Sequence, residues 1–217
     1  MLDGPTLTPA SGGPPKQLVV LLHGYGSNGA DLISMAPLWH RSLPDALFVA
    51  PDAPERCPGA AGGFQWWGLQ SFDRAALASG VTRAAPLLDA FLDARLAEHR
   101  LPADRLLLVG FSQGTMMALH VGPRRSEQVA GIIGYSGMVA DPLTARRDLR
   151  TRPPVLLVHG AADPVVPPAS LAEAEHVLKA DGFDVSTHML PGVVHTVDLR
   201  GLQLGERFAR RLLLDER

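Results

Sequence analysis

Five runs of this chain are apolar almost without interruption: QLVVLLH (17–23), ALFVAP (46–51), RLLLVGF (105–111), VAGIIGY (129–135) and PVLLVHG (154–160). A strand with one face in water alternates apolar and polar residues, whereas a strand covered on both faces need not. FDVSTHML (183–190) is a sixth strand candidate. Between the runs lie stretches of helical character. Asp31 to Ser42 follows Asn28, a good capping residue, and Val81 to His99 repeats Leu87, Leu88, Phe91, Leu92 and Leu96 at three- and four-residue steps. Segments 113–121, 168–180 and 198–214 read as further helices. Pro86 should begin or kink the second helix. Strands alternating with helices imply an open, mostly parallel α/β sheet joined by right-handed crossovers.

The 217 residues carry a formal net charge of -2 and hold no basic run, so nothing suggests an electrostatic grip on nucleic acid or anionic lipid. A chain of this length can bury roughly 70% of its unfolded surface in one core, and residues 1–217 read as a single domain. Residues 2–16, with SGGPP at 11–15, suggest a loose hairpin or a frayed N-terminus. The N-terminal stretch lacks the charged-then-apolar pattern of a signal peptide, and no apolar run reaches the ~18 residues of a membrane span. Cys57 is the only cysteine, which excludes an internal disulfide. These features favour a cytoplasmic protein without stable membrane insertion.

Ligands of such sheets sit at the carboxyl ends of the strands. There the chain places His23-Gly24-Tyr25-Gly26, Asp52, Ser112, Ser136 and Asp163, with His195 after the sixth strand. Ser112 lies within GFSQG (110–114), between a Leu/Val strand and a helix. This G-x-S-x-G spacing suits a strained turn that pushes a hydroxyl into the open, and glycines on both sides avoid collision with neighbouring elements. The pattern alone is weak, because about one chain in ten of this composition contains it by chance. Its position raises its weight.

A serine hydroxyl needs a base to take its proton, and the base needs an acid to orient it. On this kind of sheet the partners follow in the order Ser, acid, His. Asp163, in HGAADPVVP, stands 51 residues on, and His195, in PGVVHTVD, another 32. Either alone reads as a turn aspartate or a surface histidine; the pair in register with Ser112 reads as a triad. The negative charge that develops on an attacked carbonyl calls for backbone N–H donors. Those of Gln113, after the nucleophile, and Tyr25, in the HGYG loop, are the candidates. His23 and His159 precede glycines at strand ends and suit loop support; His188 lies within a strand, and His40, His99, His120 and His176 lie in helical stretches. Without H-x-H or HExxH spacing, and with one cysteine, a metal site is not expected.

Together LLHGYGSNGADL (21–32), GFQWW (63–67), GFSQG, GYSG (134–137), HGAADPVVP (159–167) and GVVH (192–195) resemble the carboxylesterase and acyl-protein thioesterase family, also called phospholipase/carboxylesterase. The resemblance covers about residues 17–200. It implies an α/β-hydrolase fold and hydrolysis of carboxylic esters, and in some relatives of acyl thioesters or lysophospholipids, without a cofactor. Carried over by position, it implies Ser112, Asp163 and His195 as the triad and Tyr25 and Gln113 as oxyanion donors. Thr115 stands where many relatives have a third glycine. Two tryptophans stand where an aromatic followed by Asp is common in the thioesterases, which favours a generalist esterase.

The 18 residues from 136 to 153 are too few for a helical cap domain, so an open groove is expected. Trp66, Trp67 and Phe72 of the aromatic FQWWGLQSF loop, with Met138 and Val165, are candidate groove walls, since such sites are mainly apolar. Ser136 is a neighbour of the site rather than a second nucleophile. The expected substrate is a small ester or thioester, with short- to medium-chain acyl groups, and the reading leaves room for a homodimer. A serine peptidase for short peptides and a non-catalytic binding protein on the same fold are the competing readings. A catalytic imidazole must be neutral to accept a proton. Esterase activity should therefore fall on acidification between about pH 8 and pH 5, and a flat rate across that range would remove His195 from the chemistry.

Overall fold

The structure is a computed structural model that describes residues 2–69, 73–141 and 148–214. In chain order its strands are β1 (Thr6–Leu7), β2 (Gln17–Leu22), β3 (Ala46–Val49), β4 (Glu55–Arg56), β5 (Phe64–Gln65), β6 (Leu106–Phe111), β7 (Gly131–Tyr135), β8 (Val155–Gly160) and β9 (Val185–Leu190). The α-helices are α1 (Gly29–Ile33), α2 (Ala36–His40), α3 (Arg74–His99), α4 (Gln113–Val121), α5 (Ala169–Ala180) and α6 (Leu199–Leu213). Seven strands form the central sheet in the order β1-β3-β2-β6-β7-β8-β9, all parallel except β1. β4 and β5 form a separate antiparallel pair. The mostly parallel α/β-hydrolase architecture expected above is present. Among the described residues, the β7–β8 connection adds no helix or strand that could cap the sheet.

Alternate residues of one strand point to opposite faces. Leu18, Val20 and Leu22 join Leu106 and Leu108 beneath α3 and α4, while Val19, Leu21, Leu107 and Val109 face Trp39 of α2 and Phe208 and Leu213 of α6. Both faces are therefore core, which is why these runs are continuously apolar. Each fully buried Leu or Val contributes about 1.5–3 kcal/mol. Register then aligns the strand ends: Leu22 sits beside Gly110, Phe111 beside Tyr135, and Tyr135 beside Val158. Residues that follow these ends share one rim of the sheet.

Several local expectations need correction. Residues 2–16 neither make a hairpin of their own nor fray at 6–7: β1 pairs antiparallel with β3, Thr6 opposite Val49 and Leu7 opposite Phe48. The single helix expected over 31–42 is two short ones, α1 and α2, the second beginning with Pro37 in its first turn. Asn28 does cap the first, its side chain accepting from the Asp31 N–H at 3.0 Å. α3 begins seven residues before the expected Val81, because Asp73 caps it by accepting from the Ala76 N–H at 3.0 Å. It runs through Pro86 for 26 residues and ends where Arg100 turns left-handed, φ 54°.

His120, near the end of α4, is pushed down from 6.5 to about 4, first by burial and then by the neighbouring Arg124 charge, against a smaller opposing effect of Asp141. A lowered folded-state value means that the unfolded chain binds the proton first as pH falls. Stability should drop between about pH 6.5 and pH 4, and a His120→Gln variant should escape roughly 2 kcal/mol of that loss. Parallel acid-limb denaturation curves for the two proteins would contradict this.

Candidate active site

Strand β6 ends at Phe111 and α4 starts at Gln113, so one residue makes the whole turn. That residue, Ser112, has φ 53° and ψ -114°, a conformation that costs a non-glycine residue of order 1–3 kcal/mol. The flanking glycines make it reachable. A Cβ on Gly110 would lie 2.4 Å from the Gly114 carbonyl carbon, and a Cβ on Gly114 would lie 1.9 Å from the Leu22 carbonyl oxygen. The first turn of α4 therefore presses against the end of β2. The Ser112 N–H donates to Tyr135 O at 2.9 Å, and its carbonyl accepts from Thr115 N at 3.0 Å. Thr115 is packed into this turn: its hydroxyl donates to Gly110 O at 2.8 Å, and it lies closely against Gly134 and Gly137.

Asp163 follows β8 and has both carboxylate oxygens engaged. Oδ1 accepts from the Val165 and Val166 N–H groups at 2.8 and 3.0 Å, and Oδ2 accepts from His195 Nδ1 at 2.8 Å. Burial alone would raise this carboxyl; the His195 hydrogen bond, the two amides and the imidazole charge outweigh it and hold Asp163 below its usual range. His159, 1% exposed, donates Nε2–H to Val166 O at 3.0 Å, with the same Nε2 3.4 Å from Asp163 Oδ2. It supports the Asp163 loop, as its place before Gly160 suggested. The His195 ring packs on Phe111, the residue before Ser112, at a centroid distance of 4.8 Å. With Nδ1 on the carboxylate, His195 keeps Nε2 uncommitted among the described residues. Of the trio singled out in the sequence, Asp163 and His195 are joined by a hydrogen bond and the imidazole packs on the residue before Ser112, while among the described residues the Ser112 hydroxyl makes no hydrogen bond to His195.

The HGYG loop also approaches Ser112. A Cβ on Gly24 would meet Phe111 Cδ1 at 3.1 Å and Ser112 Cβ at 3.2 Å, so only glycine seats the loop here without a neighbour giving way. The Tyr25 N–H has no acceptor among the described residues, and the Gln113 N–H, first in its helix, lacks a carbonyl one turn earlier. The Tyr25 phenol is raised above its ordinary value, chiefly by the neighbouring Cys57 thiol. His23 is fully buried, accepts from Ala53 N–H through Nε2 at 2.9 Å, and donates Nδ1–H to Gly24 O at 2.8 Å. Burial lowers its pKa, so it stays neutral and acts as a brace.

The expected groove walls divide. Trp66 and Trp67 are 1% and 2% exposed and belong to the core, so their side chains stand behind the site and do not line an open groove. The cause is polar as well as apolar: the Trp66 indole donates to His23 O at 3.0 Å, and Gly80 of α3 leaves room for the Trp67 ring. Phe72 lies outside the described residues. Met138 is half-buried against the core, and Val165 is exposed beside Asp163. Sequence reasoning missed the bracing by the Gln113 side chain, which bonds to the backbone of Trp66 and Trp67. Among the described residues no group of three His, Cys, Asp or Glu could hold a metal ion.

A strained serine after a central parallel strand, with an Asp–His pair at later strand ends, defines an α/β-hydrolase. The chain belongs to the phospholipase/carboxylesterase family, whose model matches residues 7–213. It is 32% identical over 206 residues to acyl-protein thioesterase 1 of Schizosaccharomyces pombe, covering 90% of each chain. It is 28% identical over 191 residues to esterase YpfH of Escherichia coli, covering 88% of this chain and 80% of that one. Among solved structures, esterase PE8 superposes with a TM-score of 0.93 at 42% identity, covering 98% of this chain and 99% of the other. The protein is an enzyme of the carboxylesterase and thioesterase type. No described helix is long and apolar enough to cross a membrane.

Gly114→Ala should cost about 2–4 kcal/mol, because the new methyl meets a backbone oxygen that cannot rotate away. Thermal melting measures this, and an unchanged Tm would mean that α4 can slide without penalty.

Proposed function

We propose that the chain is a cofactor-independent serine esterase acting on small carboxylic esters with short- to medium-chain acyl groups, and that residues 1–217 work as one α/β-hydrolase domain. Ser112 is the nucleophile, His195 the base and Asp163 the acid that orients it; the Tyr25 and Gln113 amides receive the oxyanion. The observation that carries this reading is the 2.8 Å bond from His195 Nδ1 to Asp163 Oδ2, made by the residues chosen as partners of Ser112. That bond leaves Nε2 as the nitrogen able to take the serine proton.

In the reaction the Ser112 oxygen attacks the ester carbonyl carbon as its proton passes to His195 Nε2. The tetrahedral oxyanion is held by the two amides. His195 then returns the proton to the departing alcohol, leaving an acyl-enzyme. Water, deprotonated by the same imidazole, attacks the acyl carbon, and the acid leaves as Ser112 recovers its proton. Asp163 stays ionised throughout, in keeping with its lowered pKa.

Acyl thioesters and lysophospholipids are the second substrate reading, the former supported by the relatives named acyl-protein thioesterase and the latter by the phospholipase/carboxylesterase family. The same steps apply with a thiol or a glycerophosphoryl alcohol leaving. Likeness at 42% identity to an esterase supports the ester reading first. The lone Cys57 suits work in the reducing cytoplasm.

Ser112→Ala should lower kcat for p-nitrophenyl butyrate by about 10⁴-fold or more. A fluorophosphonate probe should label the wild-type protein at Ser112 and leave the variant unlabelled. Asp163→Asn, which keeps the shape but loses the charge and favours the wrong imidazole tautomer, should cost roughly 10⁴-fold. Undiminished hydrolysis by Ser112→Ala, or labelling elsewhere, would overturn the assignment.

A further inference from the structure

The GFQWW segment has been left without a role in the chemistry, and its contacts are unusually directed. From one side it is stitched to the loop that carries Tyr25. The Gly26 N–H donates to Phe64 O at 2.9 Å, the Phe64 N–H donates to Ser27 O at 2.7 Å, and Trp66 Nε1–H donates to His23 O at 3.0 Å. A Cβ on Gly63 would lie 2.2 Å from Gly26 O, so the two backbones meet closely. From the other side the segment is held by Gln113. Gln113 Oε1 accepts from the Trp66 N–H at 2.9 Å, and Gln113 Nε2 donates to Trp67 O at 2.9 Å. The partners leave no ambiguity about the amide's orientation, since a backbone N–H can only donate and a carbonyl only accept.

Gln113 is 1% exposed and Trp66 1%, so these bonds are sheltered from competing water. Breaking one would leave buried polar groups unpaired, which costs more than the bond's net contribution. The Gln113 side chain thus grips the element that is bonded to the Tyr25 loop, while its own backbone N–H opens the helix that follows Ser112.

We propose that the Gln113 side chain and the Trp66 indole are positioning residues that set the spacing between the two oxyanion-hole amides. Resting on the active-site reading above, this gives GFQWW a catalytic purpose behind the site. Stabilisation of a developing oxyanion depends steeply on donor placement: losing one donor costs about 10²–10³-fold in kcat, and a misplacement of about 1 Å costs of order 10². The effect should fall on the transition state and leave ground-state binding nearly untouched.

The test uses Gln113→Met, which keeps length and apolar bulk but removes both bonds, and Trp66→Phe, which removes the indole donor. Each should lower kcat for p-nitrophenyl butyrate by roughly 10–100-fold with KM changed by less than about 3-fold. Phenylboronic acid, whose serine adduct mimics the tetrahedral state, should lose affinity by the same factor as kcat/KM, while inhibition by butyrate stays unchanged. The double variant should lose far less than the product of the single losses, because both side chains act through one connection. A loss confined to KM, unchanged boronate affinity, or multiplicative losses would each overturn the proposal. If Gln113→Met lacks a cooperative melt, Trp66→Phe decides on the same readouts. Failure of the wild-type protein to take a fluorophosphonate at Ser112 would overturn the active-site reading and this proposal with it; labelled, folded variants with unaltered kcat would overturn this proposal alone.

Discussion

The approach of α4 to the end of β2 governs the rest of the site. Gly114 allows it, since any side chain there would occupy the position of the Leu22 carbonyl oxygen. With the helix so close, the connection from β6 has room for a single residue, and that residue must adopt a positive φ. The strain at Ser112 is held by ordinary forces acting on either side: the sheet register that sets Phe111 beside Tyr135, and the hydrogen bond that the Ser112 N–H donates to Tyr135 O. Removal of strain would require the sheet or the helix to move. Gly24 in turn lies against Phe111 and Ser112, so the HGYG loop is seated beside this turn.

The acid side of the site follows a different logic. Asp163 is buried, which by itself favours the neutral carboxyl, yet three donors reach its two oxygens. An ionised carboxylate in such a place stays put because rotation would abandon the Val165 and Val166 amides together. The imidazole it holds is therefore restrained at Nδ1, and the second nitrogen inherits a defined direction. His159 beneath it and Phe111 against the His195 ring complete the support with one neutral hydrogen bond and one aromatic contact.

Much of this was legible in the chain itself, for reasons that differ by element. The central strands stood out because both of their faces are core, and Ser112, Asp163 and His195 stood out because they follow strand ends in a fixed order. The first two turns of α3 were hidden: Arg74, Ala75 and Ala76 are exposed and carry no periodic signal, and the Asp73 cap depends on one side-chain bond. The segment 31–42 looked continuous because Pro37 is tolerated in a first helical turn, which let one apparent helix conceal two. Trp66 and Trp67 were misjudged because aromatic composition cannot distinguish a groove wall from a core residue. The grip of Gln113 on their backbone joins positions 47 and 46 residues apart through main-chain atoms, which leave no residue-type signature.

The short strand β1 has a wider bearing than its two residues suggest. Beyond its pairing with β3, Pro5 O accepts from Ala50 N–H at 3.0 Å and Asp3 O from Asp52 N–H at 2.8 Å, so residues 3–7 sheathe the outer border of the sheet. An uncovered parallel border of this kind is a template onto which a second molecule can lay its own backbone. The neighbouring Ala53 amide is the one that holds His23, so the sheathed stretch leads directly into the support of the Tyr25 loop. Loss of residues 3–7 would thus bare the β3 border to another backbone and, in the same event, loosen the stretch that leads to the Ala53–His23 bond.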